Sequence, residues 1–133
     1  MDLEQLIRDV FAAFNARDVE KAFSFFANDL IVNNFVPKPV GLADFRALNI
    51  AQLAAFPDWQ TTIEDLIAEG DKVVVRITQR GTHQGTFFGL AATGKQVSVT
   101  GVAIFRLRYG QIVEEWLITD QLGARQQLDA REG

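Results

Sequence analysis

The sequence predicts an α+β fold in which a curved antiparallel sheet wraps around N-terminal helices, and the order of its hydrophobic periods is what predicts it. Up to Phe56 the apolar residues recur at helical spacing, and from Trp59 onward they follow the alternation of strands. Turn signals at Glu69-Gly70-Asp71 and Tyr109-Gly110 divide that second half into antiparallel segments. Such a sheet encloses a cone, and space left unfilled between its concave side and the first and third helices becomes an apolar pocket opening at one end.

Leu3, Leu6, Ile7, Val10, Phe11 and Phe14 form the stripe of a first helix, for which Asp2 and Gln5 resemble a capping box. Asp18 is the expected N-cap of a short second helix with Val19, Ala22, Phe23 and Phe26 on one side. A β-like run from Leu30 to Val36 follows, ended by Pro37 and Pro39. Gly41 to Phe56 reads as a third helix, with Leu42, Phe45 and Leu48 on neighbouring turns and Pro57 as its stop. Strands are then expected over Trp59 to Ala68, Lys72 to Gly81, Lys95 to Arg108 and Gln111 to Asp120. A long hairpin loop carries Gly89 and Thr93-Gly94, Gly101 marks a bend in the longest strand, and Gln121 to Gln127 closes as a helical turn.

With 133 residues, nearly half of them apolar, one globular domain over residues 1–133 is expected. A net charge of -4 with scattered Lys and Arg offers no basic field, so neither nucleic acid nor an anionic membrane is an expected partner; a small apolar molecule is. The absence of cysteine removes disulfides, thiolate nucleophiles and zinc-thiolate sites, and a single histidine removes multi-histidine centres within one chain; a carboxylate-bound metal stays open but nothing supports it, and no metal or cofactor is expected. Asp2, Glu4 and Arg8 interrupt any secretory apolar region and no apolar run reaches membrane-spanning length, which gives a cytoplasmic expectation.

Phe56-Pro57-Asp58-Trp59, Glu69-Gly70-Asp71, Gly81-Thr82-His83, Thr93-Gly94-Lys95 and Glu114-x-Trp116-x-x-x-Asp120 together resemble the SnoaL-like polyketide cyclases of the wider NTF2-like superfamily. The resemblance covers nearly the whole chain in order and implies the NTF2-like cone. It implies aldol-type cyclisation of a carbonyl substrate without a cofactor, although the family also contains hydroxylases and proteins of unestablished role. In the cyclases the aspartate matching Asp120 is the general acid/base, and the position matching His83 lies in the same pocket. Asn33-Asn34 depart from the pattern, since many relatives carry a histidine or aromatic residue there. Relatives also imply a homodimer through the convex sheet face, where Val113, Leu117 and Val97 or Val99 would stand.

Strict alternation along the last strand puts Ile112, Glu114, Trp116, Ile118 and Asp120 on one face, expected to be the concave one. Two roles are open to Asp120: a proton-transfer group beside Trp116 in a dry pocket, or the N-cap of the helical turn after it. His83, between glycines, either donates to a developing enolate or bonds a nearby turn carbonyl. Asp58 is expected to fix a turn by accepting backbone N–H groups, or to touch substrate. Trp59, Phe14, Phe35 and Phe87 are the expected pocket wall, and Asn34 or Asn33 turns an amide inward. Tyr109, in a hairpin turn, argues against a steroid-isomerase type of site. Besides the cyclase reading, an epoxide hydrolase would join Asp58 or Asp120 to Arg76 or Arg106; a hydroxylase-type relative and a non-enzymatic dimer binding an apolar metabolite complete the alternatives.

Overall fold

The computed structural model describes residues 2–87 and 89–129. Helices α1 (Leu3–Asn15) and α2 (Val19–Ser24) precede strand β1 (Phe26–Asn33), and α3 (Leu42–Ala55) leads into β2 (Gln60–Glu69), β3 (Lys72–Thr82), β4 (Gln96–Arg108) and β5 (Gln111–Thr119), with α4 (Gln121–Asp129) at the end. The aspartates that begin the first two helices do so by bonding: Asp2 accepts from the Gln5 N–H and Asp18 from the Lys21 N–H. The Gln5 side chain donates instead to Asp9, so the reciprocal half of a capping box is not made.

The sheet runs β1-β5-β4-β3-β2. β2 to β5 form an antiparallel meander, and β1 joins its far side by pairing parallel to β5. β1 begins at Phe26, earlier than the Leu30 expected, because Phe26 and Ala27 are already buried strand residues beside Ile112 rather than the end of α2. Gly70 and the pair Tyr109-Gly110 have positive φ, as the tight β-hairpin turns at those points require.

On β4 the face carrying Val97, Val99, Ala103, Phe105 and Leu107 is buried, and α1 and α3 lie over that concave side. Phe23, Phe26, Phe45 and Phe105 join Ile7, Val10, Val75 and Ile112 in the main cluster under the helices. Phe56, Trp59, Val97, Val99 and Leu128 form a second cluster.

The alternation expected of β5 does not hold through its length. Leu107 pairs with Ile112 but Arg106 pairs with Glu114, so Val113 is an extra residue on β5, a β-bulge that reverses the parity of every later side chain. Ile112 therefore points inward with Leu107, and after the bulge it is Glu115, Leu117 and Thr119 that point inward. Glu114, Trp116 and Ile118, expected inside, stand on the convex face. The interface expected from Val113, Leu117, Val97 and Val99 is corrected too: all four are buried, the bulge turns Leu117 into the cone's interior, and Val97 and Val99 line it from the buried face of β4.

Candidate functional site: an apolar cavity around a buried glutamate

Between α1, α3, α4 and the concave sheet lies a cavity of about 340 Å³. Its walls are aromatic because α1 and α3 present Phe11, Phe14 and Phe45, the chain between β1 and α3 adds Phe35, and Phe56, Trp59 and Phe87 close the side toward the hairpin loop. Phe14, Phe35, Phe87 and Trp59 are thus among the lining residues. Polar groups are few. Asn15 lines the cavity but uses both ends of its amide to tie α1 to β2, donating to the Thr61 carbonyl (2.9 Å) and accepting from the Thr61 N–H (2.8 Å). The Gln79 amide donates to the Thr61 hydroxyl, while Asn49, Gln52 and Gln121 also line the cavity.

Glu115 is the acid of this cavity among the described residues. The bulge turns it inward opposite Phe105, it is 4 % exposed, and its carboxyl group has no hydrogen-bond or ion-pair partner among the described residues. Burial without a compensating donor or cation disfavours the charged form and pushes its pKa from the ordinary 4.5 up to about 8. Neighbouring Glu114 lives differently on the other face, where Arg106 (3.1 Å) and the Asn33 amide (3.1 Å) hold it.

Sequence reasoning missed Glu115 because it assumed unbroken alternation. A signal was nonetheless present. Two successive glutamates in a strand covered on one side by helices place one carboxyl group inside whichever register is adopted.

The two expected catalytic residues are not brought into the cavity. Asp120 is exposed, and its carboxylate accepts from the Gly123 N–H at 2.8 Å while its carbonyl accepts from Ala124, so it serves as the N-cap of α4. His83 is fully buried behind Phe56, on which its ring stacks at 5.3 Å, and it does not line the cavity. The Thr93 N–H donates to its Nδ1 (3.2 Å), which leaves the ring proton on Nε2, and that atom has no partner among the described residues. The imidazole thereby pins the loop that carries Phe87 and Leu90.

The remaining candidates divide in the same way. Trp116 lies on the convex face beside Asn33 and Ile104, away from the cavity. Asn34 is exposed with φ of 69°, a left-handed turn position, and no amide from it enters the cone; the Asn33 amide points to Glu114. Asp58 accepts from the Thr82 N–H and hydroxyl, each at 2.7 Å, and these bonds, the backbone one first, hold its carboxyl group below the ordinary 3.8. It ties the chain after α3 to the end of β3. Arg76 pairs with Asp65 and Arg106 with Glu114, so neither arginine is joined to Asp58 or Asp120 as epoxide hydrolysis would need.

Residues 4–128 match the model of the SnoaL-like polyketide cyclases. Among solved structures, AclR, a candidate hydroxylase from Streptomyces galilaeus, is similar at 32% identity and a TM-score of 0.87, covering 94% of this chain and 93% of its own. IdmH, a candidate polyketide cyclase from Streptomyces antibioticus, is 28% identical with a TM-score of 0.86 over 98% of this chain and 100% of its own. TsrD from Streptomyces laurentii is 29% identical with a TM-score of 0.85 over 97% and 96% of the two chains. A comparison with curated proteins finds no match. Among the described residues no helix is long and apolar enough to cross a membrane.

Proposed function

The chain belongs to the SnoaL-like polyketide cyclase family of the NTF2-like fold, and from that premise we propose that it is an acid–base enzyme performing an aldol-type ring closure on an apolar carbonyl substrate, with Glu115 as the proton-transfer group. The observation that carries this reading is a carboxyl group with no protein partner, at the wall of an aromatic cavity, with a pKa raised by burial to about 8. Both of its forms are populated near neutral pH, the condition under which one group both takes and returns a proton. Ionised, Glu115 removes the proton from the carbon next to a carbonyl. The resulting enolate attacks a second carbonyl of the same molecule, one C–C bond forms, and protonated Glu115 returns its proton to the alkoxide. The group ends as it began, so the step balances without a co-reactant.

The test compares Glu115→Gln with Asp120→Asn on a panel of aromatic diketones and ketoesters, first screened by melting temperature, which a specific ligand raises by mass action. Glu115→Gln is expected to lower turnover about a hundred- to ten-thousand-fold, and Asp120→Asn to keep it, since an asparagine oxygen still caps α4. Full turnover in Glu115→Gln would assign the chemistry elsewhere.

The expected partner is a second copy of this chain on the convex sheet face. Val74, Val102, Ile104, Trp116 and Ile118 form an apolar patch across β3, β4 and β5, flanked by the Arg76–Asp65 and Arg106–Glu114 pairs. A patch bordered by both signs of charge is complementary to itself after a two-fold rotation.

A further inference from the structure

We infer that Arg125 makes the mouth of the cavity a subsite for a carboxylate at the outer end of the substrate; this rests on the reading of the cavity as a substrate site and narrows the substrate to keto acids. Gln121, Ala124, Arg125 and Leu128 fall at helical spacing and are the residues through which α4 lines the cavity, and the Arg125 side chain is 58 % exposed, which puts it at the rim of that stripe. Its Nε donates to Asp129 at 2.8 Å, and neither Nη atom has a partner among the described residues. Two parallel N–H groups left open at the rim fit the fork that binds a carboxylate with two hydrogen bonds.

The difference in exposure among the groups that line the cavity supplies the second argument. Glu115 and Thr119 both line it and stand four residues apart on β5, a separation of roughly 13 Å at about 3.3 Å per strand residue. Gln121 and Arg125, which follow Thr119 in the chain, are exposed residues of the lining, whereas Glu115 is buried. A substrate carboxylate buried beside Glu115 would be desolvated next to an acid with no cation to balance it, which is unfavourable. At the outer end it meets the amide of Gln121, the free edge of Arg125 and water. The cavity therefore orients an elongated molecule with its reacting carbonyl inward and its anion outward. Asp129 competes for the same cation, so its removal should strengthen the subsite.

The experiment measures binding of an acetylnaphthoic acid and its methyl ester by quenching of Trp59, in a Trp116→Phe background that leaves Trp59 as the reporter on the cavity wall. The acid is expected to bind about five- to tenfold more tightly than the ester, consistent with a charge-assisted pair at a wet rim. Arg125→Gln should erase that ratio by weakening the acid alone, and Asp129→Asn should widen it. A ratio near one in the parent protein, or an unchanged ratio in Arg125→Gln, overturns the subsite while leaving the cavity reading intact. Failure of both compounds to bind overturns the subsite and the cavity reading together. Loss of turnover in Glu115→Gln with an unaltered acid-to-ester ratio separates the two roles.

Discussion

At the scale of single residues, Glu114 and Glu115 show how position alone makes chemistry. They are adjacent and identical, yet one is held by Arg106 and Asn33 on the outer face while the other faces phenylalanines. The consequence is a pH dependence of stability with a defined sign. Folded Glu115 titrates at about 8 whereas the unfolded side chain titrates near 4.5, so between those values the folded state binds more protons than the unfolded one. Its full stability is present below pH 4.5, declines as pH rises toward 8 and is level above it, with a slope of at most about 1.4 kcal/mol per pH unit. Asp58 acts in the opposite sense, its contribution being present above the ordinary 3.8 and lost as pH falls through its lowered folded value, so its window does not overlap. Urea midpoints of the parent protein should therefore fall from pH 5 to pH 8 while those of Glu115→Gln stay level. Parallel slopes in the two proteins would show that the dependence comes from other groups.

At the scale of elements, β4 and β5 decide which side chains reach the cavity. Gly101 lies where β4 packs tightly against β5: a Cβ there would stand 2.7 Å from the Ile118 carbonyl oxygen and 2.8 Å from the Thr119 Cγ2. The obstruction is partly backbone and cannot swing aside, so Gly101→Ala is expected to destabilise by about 1–3 kcal/mol in chemical denaturation and to shift Thr119 at the cavity wall. An unchanged midpoint would mean that the two strands separate freely at this point. What was legible in the sequence was what local chemistry determines. Asp2, Asp18 and Pro57 bound helices through their own bonds or missing N–H groups, and Gly70 and Tyr109-Gly110 set the hairpins. Phe14, Phe35, Phe87 and Trp59 were legible as cavity wall because large apolar side chains after helical and turn segments have one covered side to occupy. The β5 bulge was not legible, since an extra residue at Val113 is chosen by packing against β1 and β4, far away in sequence. That one residue moved Trp116 out and Glu115 in. Asp120 satisfied its N-cap pattern, and the local bond took the carboxylate that the family resemblance assigned to the pocket.

For the whole molecule, the sheet divides the chain's apolar residues between two uses. The concave side is spent on the helices and the cavity, while the convex side keeps Val102 opposite Ile118 and Ile104 opposite Trp116, with Ile118 61 % exposed. Cross-strand neighbours of this kind merge into one patch rather than isolated surface residues, and such patches on soluble proteins mark interfaces. If a second copy covers it, a charge placed at its centre must be desolvated in the dimer but remains solvated in the monomer. Ile118→Asp should accordingly convert a dimer, measured by sedimentation at tens of micromolar, to a monomer with an unchanged far-ultraviolet circular dichroism spectrum. Because Ile118 points away from Glu115 and the cavity, ligand binding per chain should survive in that monomer. A parent protein that sediments as a monomer at the same concentration would remove the dimer, whereas a dimer untouched by Ile118→Asp would move the interface to another face, such as the exposed edge of β2 at Ile67.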